Sequence, residues 1–163
     1  MLLALGSKLG DEFGGRVKEY FGFVARGDLA LAVAQTDVKG DGSKRPSEQE
    51  NKNLYLRVVD QRDDGIIVRG AKAHTTQSAV SDEIIVISTR SLRVNEEDYA
   101  VAFAVPANTR GLSMVVRPIE EVEGNSSSIL SRLDYELETL TIFDDVFVPW
   151  ERIFLFKEHN PRW

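Results

Sequence analysis

The first group of residues that could do chemistry lies where an apolar run of the sequence gives way to a polar loop. Gln35, Thr36 and Asp37 end the run, and Gly42 and Ser43 follow in the loop. Hydroxyl groups and free main-chain N–H groups at strand ends are the donors that a flavin ring needs along its polar edge. Glycine lets the backbone approach a ligand or a pyrophosphate closely. Taken alone, this pattern is also typical of an ordinary strand end followed by a turn.

A second group of side-chain donors follows another strand-like segment. The segment Gly70–Ser78 contains His74, Thr75 and Thr76. Taken singly, a lone histidine is more often a structural residue than a cofactor contact, and threonines are common in strands. Neither group contains a convincing general base, because a carboxylate at a strand end, such as that of Asp37, usually caps a turn. We therefore assign these residues to ligand binding and none of them to catalysis.

The composition excludes several other kinds of site. The chain has no cysteine, which excludes disulfides, thiolate catalysis and cysteine-ligated zinc or iron–sulfur sites within it. The chain has only two histidines, His74 and His159, and this number is too small to favour a multi-histidine metal centre. We therefore predict no metal site. The net charge of −6 disfavours nucleic acid and anionic lipid as partners, because both reward a basic patch. No apolar run reaches membrane-spanning length, and these features together predict a cytoplasmic protein.

The spacing of apolar residues predicts one helix followed by a β domain. Residues 1–26 are expected to be helical, with an apolar stripe at helical spacing made of Phe13, Val17, Tyr20, Phe21 and Val24. Further along, the pattern changes to short segments rich in β-branched and apolar residues, most of them bounded by turn-forming residues. The predicted strands are Leu29–Gln35, Leu54–Asp60, Gly65–Ala73, Glu83–Thr89, Tyr99–Val105, Leu112–Arg117 and Leu137–Phe143.

The order of these segments predicts a mainly β fold, an antiparallel β-sandwich or flattened barrel over residues 28–157. Asp63-Asp64-Gly65 has the composition of a hairpin turn between two of the strands. The long polar segment Lys39–Asn53 is expected to be mobile, because its few apolar residues cannot offset the entropy of ordering. Apolar residues of the helix and of Ile153–Phe156 are expected to remain exposed and to promote association.

Together, the two groups of donors resemble a pair of motifs in acyl-CoA dehydrogenases. Ala34–Asp37 resembles the Ala-x-Thr-Glu motif, and Gly70–Gln77 resembles Gly-x-Lys-x-Trp-Ile-Thr-Asn with His74 in place of tryptophan. A closer resemblance covers the chain almost throughout, from Gly27 to Leu155. It is to the family of 4-hydroxyphenylacetate 3-hydroxylases and 4-hydroxybutyryl-CoA dehydratases. It rests on the order of five segments: Thr36–Asp41, Gly65–Lys72, Phe103–Pro106, Ser131–Asp134 and Asp144–Glu151.

The resemblance implies the domain organisation of acyl-CoA dehydrogenases. In these enzymes an N-terminal helical domain, a middle β domain and a C-terminal helical bundle share one FAD, and the subunits form homo-oligomers. Residues 1–26 then correspond to the last helix of a truncated N-terminal domain. Residues 27–157 correspond to the flavin-binding middle domain, and residues 158–163 form a tail, with the C-terminal helical domain missing.

The resemblance also implies roles for the residues of the two groups. We expect Gln35, Thr36 and Thr76 to hydrogen-bond the isoalloxazine ring. His74 and Thr75 would pack against the ring or supply main-chain donors. Gly42 and Ser43 would face the pyrophosphate or the CoA arm, and Asp37 completes the predicted cofactor-binding set.

Within the family, Thr36–Asp41 and His74 favour the dehydratase branch. The hydroxylases carry a histidine near the first motif, and this chain has none between residues 28 and 38. We therefore expect a partial flavoenzyme chain that takes an acyl-CoA substrate, contributes one wall of an FAD site and is inactive alone.

A missing helical domain or partner chain would complete the enzyme, and the iron–sulfur cluster of the dehydratases cannot come from this chain alone. Whether the chain is a fragment, a split gene product or one subunit of a larger enzyme stays open. Two other functions also stay open: a phenol hydroxylase component with a small aromatic substrate, and a non-catalytic β-sandwich interaction subunit.

Overall fold

The computed structural model describes residues 10–88, 92–117 and 137–157, which form one α-helix and two four-stranded β-sheets. The helix α1 spans Gly10–Gly27. The strands are β1 (Leu31–Ala34), β2 (Arg57–Arg62), β3 (Gly65–Thr76), β4 (Glu83–Val86), β5 (Val101–Pro106), β6 (Leu112–Val116), β7 (Glu138–Pro149) and β8 (Ile153–Phe156). This architecture confirms the predicted mainly β fold preceded by one helix.

The two sheets have the strand orders β1-β4-β5-β8 and β2-β3-β7-β6. The hairpin predicted at Asp63-Asp64-Gly65 is present and joins β2 to β3. Every ladder in the two sheets is antiparallel except that of β1 with β4, which is parallel. This pair is parallel because the chain leaves β1, forms the β2–β3 hairpin in the other sheet, and returns to run beside β1 in the same direction.

The core lies between the facing sides of the two sheets. Ile84, Val86 and Phe103 of the first sheet meet Val68 and Phe143 of the second, and all of them are buried. The rings of Phe103 and Phe143 pack edge to face, with 6.0 Å between their centroids. Successive side chains of a strand point to opposite faces, so alternate residues of β4 and β5 enter this core and the residues between them pack on the outer side of the first sheet.

Helix α1 covers the outer face of the first sheet. Val17 and Tyr20 of the predicted stripe pack against Ile85, Phe154 and Leu155, and all five are buried. Of the stripe residues expected to remain exposed, Val17 is buried, whereas Phe21 is 49% exposed, so the buried stripe is narrower than the predicted one. Among the described residues no helix is long and apolar enough to cross a bilayer.

The expectation that Ile153–Phe156 remains exposed is wrong. This segment forms β8 at the edge of the first sheet, where it pairs with β5. Ile153 faces the core between the sheets, whereas Phe154 and Leu155 lie beneath the helix, and all three are at most 1% exposed. A run of four apolar residues is explained here by burial on both faces of the strand.

Polar contacts tie down the long segment Lys39–Asn53, which we expected to be mobile. The buried Gln49 side chain accepts a hydrogen bond from Asp41 N and donates to the carbonyls of Asp41 and Lys44. The Tyr99 hydroxyl donates to the Pro46 carbonyl at 3.2 Å. Composition does not reveal these anchors, because they are polar groups that are satisfied only in the folded chain, and the mobility of the loop stays a prediction.

Candidate functional site

The structure brings the two groups of candidate residues together. After β1 ends at Ala34, the chain crosses toward the second sheet and runs beside β3. Ala73 N donates to the Thr36 carbonyl at 2.7 Å, and an isolated antiparallel bridge joins Asp37 to Lys72. Main-chain pairing therefore places Thr36 directly beside the segment that carries His74 and Thr76.

A buried ion pair lies at the junction. The Lys72 ammonium is 2.6 Å from the Asp37 carboxylate, and the two side chains are only 2% and 7% exposed. The ammonium also donates to the carbonyls of Gln35 at 3.1 Å and Ile87 at 2.9 Å. Burial lowers the pKa of Lys72, and the neighbouring carboxylate acts in the opposite direction.

Asp37 was predicted to contact the cofactor, but its side chain faces the interior and is held by Lys72. The sequence analysis gave no role to Lys72, although a signal was present. A lysine in the strand segment Gly70–Ala73, between small residues, is a candidate for a buried charge, and buried charges in proteins are paired.

A bulge in β3 turns His74 toward solvent. The register of β3 against β7 shifts between Lys72 and Thr75. His74 has a left-handed backbone, with φ of 54°, and its side chain is 69% exposed. Its Nδ1 lies 3.2 Å from a carboxylate oxygen of Glu138, which is also 3.6 Å from Arg117. Left-handed non-glycine residues cost of order 1–3 kcal/mol and cluster at ligand sites, so this geometry supports His74 as a candidate.

Beneath the bulge lies a cluster of buried hydroxyl groups. Thr139 Oγ1 donates to the Thr75 carbonyl at 3.1 Å and lies 2.5 Å from Ser78 Oγ and 3.1 Å from Thr141 Oγ1. Thr75 is fully buried beside this cluster, and its own hydroxyl has no hydrogen-bond partner among the residues that the structure describes. Because the whole residue is buried and its carbonyl already accepts a hydrogen bond, Thr75 is not accessible to a ligand at the surface of the described residues. Sequence reasoning missed the cluster because its members come from separate segments.

The two buried threonines should respond oppositely to replacement by valine, which keeps their shape. Thr75→Val removes a buried hydroxyl that has no partner in the described part of the chain, so we expect the free energy of unfolding to stay constant or rise by up to about 1 kcal/mol. Thr139→Val removes the hydroxyl at the centre of the cluster and should lower the free energy of unfolding by about 1–3 kcal/mol. Urea unfolding of both variants measures the difference. A larger loss for Thr75→Val than for Thr139→Val would show that the cluster is misassigned.

The remaining predicted residues are accessible. Gln35 and His74 are exposed, and Thr36 and Thr76 are half-buried. Within the described part of the chain, the hydroxyls of Thr36 and Thr76 make no hydrogen bond, so both are available as donors. Hydroxyl groups of this kind are donors that the polar edge of a flavin ring can accept.

The other two predicted contacts lie in the loop after Asp37. Gly42 and Ser43 are exposed. The N–H and the hydroxyl of Ser43 both donate to the Asp41 carboxylate, at 2.9 Å and 2.6 Å. These bonds hold the pKa of Asp41 below its usual range. An anion at this loop would therefore have to replace the Asp41 carboxylate as the acceptor for Ser43.

The structure describes only four of the five segments on which the family resemblance rests. Ser131–Asp134 lies outside the described residues. Among the described residues no group of three or more histidine, aspartate or glutamate side chains could hold a metal ion. The arrangement that the structure shows is thus a set of hydrogen-bond donors on two adjoining segments, backed by a buried ion pair and a hydroxyl cluster.

Comparison with known proteins gives consistent matches. The family profile described as 4-hydroxyphenylacetate 3-hydroxylase N terminal matches residues 4–155. The chain is 38% identical to the 4-hydroxybutyryl-CoA dehydratase/vinylacetyl-CoA-Delta-isomerase of Clostridium aminobutyricum, covering 96% of this chain and 33% of that protein. It is 37% identical to the 4-hydroxyphenylacetate 3-monooxygenase oxygenase component of Thermus thermophilus, covering 88% of this chain and 30% of that protein.

Solved structures give the same pattern. An oxygenase component of 4-hydroxyphenylacetate 3-monooxygenase complexed with FAD superposes with a TM-score of 0.84 at 36% identity, covering 96% of this chain and 32% of that chain. An archaeal 4-hydroxybutyryl-CoA dehydratase from N. maritimus has a TM-score of 0.83 at 32% identity, covering 97% of this chain and 32% of that chain. This chain therefore spans about a third of the length of the relatives that it matches.

Proposed function

The chain belongs to the 4-hydroxyphenylacetate 3-hydroxylase family, and from that premise we propose that it supplies one wall of an FAD site in a larger flavoenzyme. The observation that carries the proposal is the meeting of two donor segments. Thr36 and Thr76 present free hydroxyls from segments that the Ala73-to-Thr36 hydrogen bond holds together. In this arrangement the chain binds and orients the ring, and FAD supplies the redox chemistry when it is bound.

Each residue of the wall has a separate task in this proposal. Gln35, Thr36 and Thr76 donate hydrogen bonds to the edge of the isoalloxazine ring. His74 would face the ring or the substrate, because the bulge turns its side chain outward. Gly42 and Ser43 lie on the adjoining loop, where they would meet the pyrophosphate or the CoA arm.

We propose an acyl-CoA substrate, as for a 4-hydroxybutyryl-CoA dehydratase. Two features support this choice: His74 in the second segment, and the absence of histidine from residues 28–38. The chain is 38% identical to a relative of the dehydratase branch and 37% identical to one of the hydroxylase branch. Because these two identities are nearly equal, a phenol hydroxylase component remains the second candidate. With no cysteine in the chain, the ligands of a dehydratase iron–sulfur cluster would have to come from elsewhere.

We further propose that helical domains, supplied by additional sequence or by a partner chain, complete the site. Residues 1–26 would then be the last helix of an N-terminal domain and residues 27–157 the middle domain. Cofactor pockets are concave and largely apolar, and the described strands offer only one surface of such a pocket. The chain alone should therefore bind FAD weakly and be inactive, whereas the complete homo-oligomeric assembly should bind it tightly.

Flavin titration of the complete assembly tests the proposal. Thr36→Val and Thr76→Val should each weaken FAD binding by about 0.5–1.5 kcal/mol, roughly two- to twelve-fold in Kd, because each removes one donor. His74→Ala should lower turnover while leaving the free energy of unfolding within about 0.5 kcal/mol, because its side chain is mostly exposed.

Thr109→Val is the matched control, since the Thr109 hydroxyl donates to the Pro106 carbonyl in a turn outside both segments. It should leave FAD affinity unchanged. Wild-type affinity and turnover in all three site variants would show that the two segments are ordinary strand ends. Absence of FAD from the complete assembly would instead favour the non-catalytic interaction subunit.

A further inference from the structure

The Lys72 ammonium contacts three acceptors, two of them from the residues that flank Thr36. The acceptors are the Asp37 carboxylate at 2.6 Å, the Gln35 carbonyl at 3.1 Å and the Ile87 carbonyl at 2.9 Å. Two of these acceptors belong to the residues on either side of Thr36. The third, the Ile87 carbonyl, belongs to the residue after β4. One side chain from the second sheet thus binds two segments that leave the first sheet.

The backbone on either side of Thr36 is anchored to β3 as well as to Lys72. The regular ladder of β1 ends at Ala34, and beyond it the chain is joined to β3 by the bridge between Asp37 and Lys72. The Thr36 carbonyl accepts a hydrogen bond from Ala73 N, the residue that follows Lys72. Lys72 and its neighbour Ala73 therefore hold the backbone that carries the Thr36 hydroxyl.

The energetics of a buried ion pair also favour a positioning role for Lys72 and Asp37. Taking two charges out of water is costly, and replacing such a pair by apolar residues of similar volume often leaves stability unchanged or raises it. The pair of Lys72 and Asp37 is therefore a weak means of stabilising the fold. Its distinctive contribution is geometric, because an ammonium that is satisfied by three acceptors fixes their relative positions.

We propose that Lys72 and Asp37 form a positioning pair that holds Thr36 in place to bind FAD, although neither side chain touches the cofactor. This inference rests on the proposed function and assigns Asp37 a new role. Its carboxylate acts through Lys72, and it acts on the affinity of the site by fixing the backbone between Gln35 and Asp37. Loss of the pair should leave the Thr36 hydroxyl present but misplaced.

The test is a double-mutant cycle for FAD affinity in the complete assembly, combining Thr36→Val with Asp37→Asn. Asp37→Asn alone should weaken FAD binding by about the same factor as Thr36→Val or more, because it releases the segment that carries the hydroxyl. In the Asp37→Asn background, Thr36→Val should have little further effect. Such non-additivity is expected for residues that act as one unit.

A second variant covers the case in which Asp37→Asn does not fold, because it leaves the Lys72 charge buried without its carboxylate. Lys72→Met with Asp37→Leu replaces the whole pair by apolar side chains and should fold. It should nevertheless show weakened FAD binding and insensitivity to Thr36→Val.

Glu83→Gln is the matched control for breaking a buried ion pair. The Glu83 carboxylate is 2.5 Å from Arg152, and the Glu83 side chain is only 4% exposed. This variant should lower the unfolding temperature but leave both the FAD affinity and the Thr36→Val penalty unchanged.

Additive penalties in the cycle would overturn the positioning role, as would an apolar double variant that keeps wild-type affinity. Either result can occur while Thr36→Val still weakens FAD binding, in which case the proposed function stands. Failure of the wild-type assembly to bind FAD contradicts the proposed function itself. The two failures are therefore distinguishable.

Discussion

Replacement of Gly70 by alanine should lower the free energy of unfolding by more than about 3 kcal/mol. Gly70 has φ of 142°, a backbone conformation that residues with a side chain rarely adopt. A Cβ atom at this position would lie 2.5 Å from Leu56 Cα and 2.6 Å from the Tyr55 carbonyl oxygen. Because these are backbone atoms, relief requires the chain entering β2 to move away from β3.

Urea unfolding followed by circular dichroism measures this effect. Gly42→Ala is the matched control, since an added Cβ there meets no atom within 4 Å and Gly42 does not have a positive φ. Its free energy of unfolding should change by no more than about 0.5 kcal/mol. A Gly70→Ala variant as stable as the control would show that the backbone of Tyr55 and Leu56 does not pack against Gly70 as described.

The second large effect is expected for Glu96→Gln, which should lower the free energy of unfolding at neutral pH by about 1–3 kcal/mol. The Glu96 side chain is fully buried and is paired with Arg45. It also accepts hydrogen bonds from Ser47 Oγ at 3.3 Å and Arg93 N at 2.9 Å. Removing the charge weakens each of these contacts and leaves Arg45 without its carboxylate.

The same carboxylate should make stability depend on pH. Burial works to raise the pKa of Glu96, but the hydrogen bond from Arg45 and the contacts with Arg93 and Ser47 outweigh it, so the pKa lies below the usual 4.5. Stability from a carboxylate with a lowered pKa is present above the unfolded-state value and is lost as pH falls through the folded-state value. Glu96→Gln should therefore lose less stability than the wild type between neutral pH and the acid side of 4.5.

Unfolding curves at neutral and acid pH, together with hydrogen exchange of the segment 41–50, test this expectation. The variant should exchange faster in that segment, because the Arg45 anchor is weakened. Asp98→Asn is the control, since this exposed carboxylate lies two positions away and has no comparable burial. Equal acid sensitivity of Glu96→Gln and the wild type would show that Glu96 does not anchor the loop.

The sequence predicted the class of fold well because that information is local. Short runs of β-branched and apolar residues, turn-forming residues between them and the helical spacing of Val17 and Tyr20 all depend on near neighbours in the chain. The ordered segments that resemble one family also depend only on residue type and position. Both the β-sandwich with its preceding helix and the family could therefore be predicted from the chain alone.

The details of the site depended on contacts between distant residues. Period-two alternation predicts which strand residues share a face, but the bulge after Lys72 interrupts it, so that Thr75 faces inward and His74 faces solvent. The sequence contains no signal that specifies the position of such a bulge, because it depends on the partner strand β7.

The tertiary structure alone decided what Asp37 does. Its residue type and its place at a strand end allowed a ligand contact or a turn cap, and neither interpretation included Lys72. The two side chains meet because the segment after β1 crosses to the other sheet, a path set by the packing of the whole sandwich. The sequence by itself thus determined the types and order of the donor residues. Their burial and partners were determined by long-range packing, which local patterns do not encode.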